Sequence, residues 1–261
     1  MKTAYILLAG MFSITMLSPA LGTECTAKSS EHRVALLELY TSEGCNSCPP
    51  ADEWVSKLPS KGLTNERLVP LAFHVDYWDY LGWRDAFSQT SFTERQRQTA
   101  QFNRSGFIYT PQLVLNGRDY RRGILWDGTN DRIKEINRQK PLADISLMLS
   151  MPIADQLHVS GEIVVTGAFA RQNAQAYLAL YENNLSNNVK AGENNGRTLH
   201  HDFVVRELVG PIPVDAQGNA QFQQTFNLKS GWKLQDSGVV AFVQNNRSGE
   251  VLQALALAAC K

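Results

Sequence analysis

The sequence predicts an α/β domain over residues 33–140 followed by an all-β, sandwich-like domain over residues 141–261. Three observations carry this. In the first half, apolar strand-like runs alternate with helical patterns, as in units built on a partly parallel sheet. The pattern changes at Pro141, and seven short strands with turn signals between them follow. Neither half contains an internal repeat or a low-complexity tract.

Ahead of the first domain, Lys2 precedes the apolar run Tyr5–Phe12, which continues through Leu17, and Ser18-Pro19-Ala20 supplies small residues. A short basic region, an apolar core and such a site predict a signal peptide over residues 1–22 and a periplasmic or secreted protein. No other segment approaches membrane-spanning length. With 25 basic and 25 acidic residues the formal charge is zero, and no basic stripe appears, which argues against nucleic acid as a partner.

Export changes how the four cysteines are read. Cys45 and Cys48 form one natural pair. Cys25, near the mature N-terminus, and penultimate Cys260 are then expected to clip the chain ends together. Such a bridge contributes about 5 kcal/mol at most in the chain-entropy model.

Residues 21–33 read as a polar lead-in. Val34–Tyr40 is an apolar run suited to a buried strand, interrupted by Glu38. Two readings of Glu38 stand: the pleat turns it to solvent, or it is a buried acid below the cysteines and accepts a proton during exchange. Cys45-Asn46-Ser47-Cys48 follows at a turn, and Pro49-Pro50 places a helix start at or just after Cys48. A helix N-terminus favours a thiolate. With Cys45 on an exposed turn, it is the expected nucleophile and Cys48 the resolving thiol.

Leu68–Asp76 reads as a second strand. Its His74 is a proton shuttle, a metal ligand or simply a hydrogen-bonded strand residue. The aromatic run Tyr77–Trp83 reads as a core cluster or lid, or else as a peptide-binding surface. Ser91-Phe92-Thr93-Glu94 predicts a capping box opening a polar surface helix through Phe102. Pro111 precedes a strand at Leu113–Leu115, where an X–Pro bond can be cis, and Asn116-Gly117 signals a hairpin. After Arg121-Arg122-Gly123, a helix is expected from about Asp127 to Gln139.

The seven later strands are expected at Ile145–Met151, Leu157–Thr166, Ala176–Glu182, Phe203–Val209, Ala220–Leu228, Gly238–Gln244 and Val251–Ala258. Between the third and fourth lies the polar stretch Gly192–His201. It reads as a turn-forming loop, or as a segment that docks Glu193, Arg197 and His200 or His201 against the redox face or a partner.

The first-half order resembles a thioredoxin-like domain, with Thr110-Pro111 matching the cis-proline that faces the C-x-x-C in that superfamily. Glu38 resembles that fold's buried acid but stands one residue further from the first cysteine. The runs Leu39–Asp52, Phe73–Asp79, Phe92–Gln96, Tyr109–Gln112 and Gly192–His201 are similar to the exported bacterial proteins of domain-of-unknown-function family 1223. That resemblance implies a fold and a compartment more than a reaction.

Three functions are expected to compete. The first is a protein thiol–disulfide oxidoreductase using Cys45, Cys48, Thr110, Pro111 and Glu38, with protein thiols or disulfides as partners and no cofactor. The second is copper binding through Cys45, Cys48 and His74, as in copper chaperones of the same fold, although those have a longer cysteine spacing and a differently placed histidine. The third is a binding module in which Cys45–Cys48 is a static crosslink.

Overall fold

The computed structural model describes residues 24–120, 128–153 and 155–260. The expected signal peptide lies outside them, as do Arg121-Arg122-Gly123 and the start of the helix expected at Asp127. In chain order the elements are β1 (Glu24–Lys28), β2 (Ala35–Thr41), α1 (Pro49–Ser56), β3 (Leu68–His74), α2 (Thr90–Phe102), β4 (Gln112–Leu115), β5 (Arg118–Asp119), α3 (Thr129–Asn137), β6 (Ala143–Ile153), β7 (Gln156–Val165), α4 (Ala168–Asn173), β8 (Ala174–Glu182), β9 (Leu185–Asn188), β10 (Thr198–His201), β11 (Val204–Pro213), β12 (Asn219–Asn227), β13 (Ser237–Asn245) and β14 (Val251–Ala258).

The architecture is mixed α/β, dominated by two sheets. An eight-stranded sheet runs β14-β13-β8-β11-β3-β2-β4-β5, and a four-stranded sheet runs β1-β6-β7-β12. Within the large sheet, β2 is parallel to β3 and antiparallel to β4. Strands β2 and β3 are buried along their whole length, as their near-continuous apolar runs require. The β4–β5 turn is Asn116-Gly117, both with positive φ, the backbone that Asn-Gly tolerates in a two-residue hairpin.

The sheet crosses the change in pattern at Pro141. Strand β11 pairs parallel to β3 through Val204 and Ala72, and β8, β13 and β14 extend the sheet beyond it. One apolar cluster therefore mixes Leu36, Tyr40 and Phe73 of the first half with Tyr177, Val240 and Phe242 of the second. A second cluster joins the two sheets, with Leu147, Leu149 and Val159 on one side and Leu178, Leu180, Val239, Ala241 and Val243 on the other. All seven strands expected after Pro141 are present.

Several elements differ from expectation. Residues 24–28 are not a lead-in but an edge strand, β1, paired antiparallel to β6; its Cys25 is bonded to Cys260, as expected. Five mostly polar residues give no strand signal of their own, so the partner supplies the order. Helix α2 does not open on a capping box: it starts at Thr90, and its N-cap, Gln89, makes no side-chain cap bond. Asp76, just after β3, instead accepts hydrogen bonds of 2.6 Å from the Thr90 and Thr93 hydroxyls. Nor is α2 a surface helix, because Phe92, Arg95, Gln96 and Thr99 are buried. Its polar inward residues meet polar partners on the sheet, Gln96 donating to Gln112 (2.8 Å) and Arg95 to Glu38 (2.9 Å).

Candidate functional site

The site is built where β2 runs into α1. Cys48 is the N-cap of α1, with the two prolines in its first turn. Cys45 and Cys48 are bonded, with Cα atoms 5.5 Å apart. Gly44 has no room for a side chain, since a Cβ there would stand 2.9 Å from that of Trp78. Trp78 also donates from its indole to the Thr110 hydroxyl (2.7 Å), and the Thr110–Pro111 bond is cis. The aromatic run thus ties the cysteine turn to the cis-proline turn, while Tyr80 is 79% exposed.

Cys45 does not lie on an exposed turn as expected; it is 1% exposed. The physical reason is the β9–β10 hairpin of the second half. Asn194 in its loop donates to the carbonyls of Glu43 (2.8 Å) and Cys45 (2.9 Å), and the Asn46 amide donates to Glu193 (3.0 Å). Only Asn46 and Ser47 of the C-x-x-C remain exposed.

Glu38 is buried rather than turned to solvent, and it lies on the α2 face of the sheet instead of below the cysteines. Leu37 and Leu39 on either side of it pack with α1, whereas Leu36 and Tyr40 share its face. Its carboxylate is paired with Arg95 and accepts a bond from the Tyr40 hydroxyl (3.1 Å). The acids on the cysteine side are Asp52 and Glu43. Asp52 sits one helical turn beyond Cys48 and accepts from the Thr41 hydroxyl (3.0 Å). Glu43 accepts from Trp83 (2.8 Å), Asn187 (2.9 Å) and His201 (3.2 Å).

His74 is fully buried, its Nδ1 2.7 Å from Asp85. Burial pushes the Asp85 carboxyl up, but His74 and the backbone amides of Glu43 and Phe87 outweigh it and hold it below the usual aspartate range. The His74 ring meets the His201 ring nearly edge-on, with centroids 4.9 Å apart. Burial alone would lower the His201 pKa, but the neighbouring Asp52 and Glu43 carboxylates push it up to about 10. His74 gathers with Asp52 and His201, and that group includes neither cysteine. Sequence reasoning named His74 and the hairpin loop. It missed Glu43, Asp52, Asp85 and Asn194, which only the fold gathers around the cysteine turn.

The pattern of a family described as a protein of unknown function (DUF1223) matches residues 36–244. The chain belongs to this family. Among solved structures, the family member resembles a protein from Agrobacterium tumefaciens at 27% identity, covering 89% of this chain and 97% of that one, with a TM-score of 0.63. It also shares its fold with HBP35 of Porphyromonas gingivalis at 18% identity, covering 88% and 76% of the two chains, with a TM-score of 0.68. No curated protein matches it. Among the described residues no helix is long and apolar enough to cross a membrane.

Proposed function

We propose that this protein is an exported, thioredoxin-like thiol–disulfide exchange protein acting through Cys45–Cys48. The observation that carries the reading is a C-x-x-C disulfide at the N-terminus of α1, linked through Trp78 to a cis Thr110–Pro111 turn. The β-α-β-α-β-β-α order of β2 to α3, with β2 between β3 and β4, supports the thioredoxin-like assignment. The terminal disulfide is in keeping with a periplasmic or secreted protein.

In the exchange, a partner thiolate attacks Cys45 Sγ and the Cys45–Cys48 bond breaks. Its electron pair leaves on Cys48, whose thiolate is favoured by the helix N-terminus. A second partner thiolate then resolves the mixed disulfide, releasing Cys45 and oxidising the partner by two electrons. In the reverse direction, Cys45 attacks a partner disulfide and Cys48 resolves. Thr110 and Pro111 would hold an extended partner segment. Asp52, rather than Glu38, would be the proton acceptor, since it is the acid on the α1 face of the sheet.

The reduced protein is expected to reduce a model protein disulfide. Cys45→Ser should abolish turnover and Cys48→Ser should trap mixed disulfides. No reaction with both thiols titratable would sink the proposal. The burial of Cys45 favours a second reading, a static crosslink, and a reduction potential below about −300 mV would support that one instead.

A further inference from the structure

We propose that Asp52, His74 and His201 form a binding site for a divalent first-row transition metal ion, held by an Asp52 carboxylate oxygen, His74 Nε2 and His201 Nδ1. The three come from α1, β3 and β10, and each is at least nine-tenths buried. Their donor atoms lie within 4.8 Å of one another. Ligands at roughly 2.0–2.2 Å from one ion stand about 3–4 Å apart, so closing the site needs side-chain shifts of about 1 Å.

The unpartnered atoms point to a ligand. His74 Nε2 and His201 Nδ1 are both buried with no hydrogen-bond partner, an arrangement that is costly unless something fills it. His201 Nδ1 stands 3.8 Å from the Asp52 carboxylate, too far for a hydrogen bond. The other nitrogen of each ring is already engaged. Asp85 accepts from His74 Nδ1 and Glu43 from His201 Nε2, because an ionised carboxylate can only accept. An arriving ion must displace the proton that His201 carries on Nδ1, so binding releases a proton. A carboxylate behind each metal-binding histidine is how such ligands are oriented and made more basic, and Thr41 likewise fixes Asp52. Imidazole donors favour zinc, copper, iron, cobalt or nickel over magnesium or calcium. A surface cavity lined by Pro49, Asp52, Glu53, His201 and Asp202 adjoins the cluster and gives an ion a way in.

The test is titration of Co²⁺ into chelator-treated full-length mature protein with both disulfides intact, followed by visible absorption and by competition with Zn²⁺. One saturable equivalent is expected, with the intense bands of a low-coordinate site. Asp52→Asn and His201→Gln should abolish it, and Asp85→Asn should weaken it about 10–100-fold. Circular dichroism and thermal melting establish that each variant is folded, and Asp85→Asn serves where a ligand change fails to fold. No saturable binding, or binding unaffected in folded Asp52→Asn and Asp85→Asn, would overturn the proposal. Since the disulfides stay intact, failure here leaves the exchange reading untouched, and failure of exchange leaves this one untouched.

Discussion

At the scale of single residues, Glu38 shows how a partner decides a role. Its position in an apolar strand marks it as unusual, but the sequence does not reveal Arg95, which lies 57 residues away. Once paired, the acid is 2% exposed and flanked by aromatic rings, with the Arg95 guanidinium also over Phe73, Tyr177 and Phe242. Removing one member of a buried pair leaves the other charge uncompensated, at a cost of about 3–5 kcal/mol. Glu38→Gln is therefore expected to lower stability by that amount in denaturant melts. If the carboxylate is structural, the folded variant should keep the wild-type rate of disulfide exchange. A large loss of rate with stability unchanged would show that Glu38 acts in the chemistry instead.

At the scale of elements, strands with strong apolar runs are legible in the sequence and their docking is not. The β9–β10 hairpin illustrates the difference. Its glycines and asparagines read correctly as turn-forming, yet what the turn covers is set by Asn194, a buried side chain with bonds to Glu43 and Cys45 and one accepted from Arg197. Those bonds hold the loop down over the disulfide. Asn194→Ala removes both donor bonds, and each buried bond lost costs about 1–3 kcal/mol. Because about 1.4 kcal/mol is tenfold in an equilibrium, the uncovered state should gain about thirtyfold or more in population. Reduction of Cys45–Cys48 by a small dithiol should then accelerate by about that factor. An unchanged rate would mean that the loop does not limit access.

At the scale of the whole molecule, the change of pattern at Pro141 is legible, and the continuity of the sheet across it is not. Period and composition report which elements form, whereas a parallel contact such as β3 with β11 joins residues far apart in the chain, Ala72 with Val204. The consequence concerns independence. Residues 33–140 alone would leave the outer edge of β3 unpaired and would strip Tyr177, Val240, Phe242 and Ala254 from the core around Leu36 and Phe73. They would also lose the hairpin over Cys45 and the His201 that partners Glu43. An exposed strand edge beside uncovered apolar surface promotes aggregation. Expressed without the rest of the chain, residues 33–140 are expected to aggregate or to melt without a cooperative transition. The mature full-length chain should melt in one. A soluble, monomeric fragment with its own sharp transition would show instead that the α/β portion folds by itself and that the shared core is dispensable.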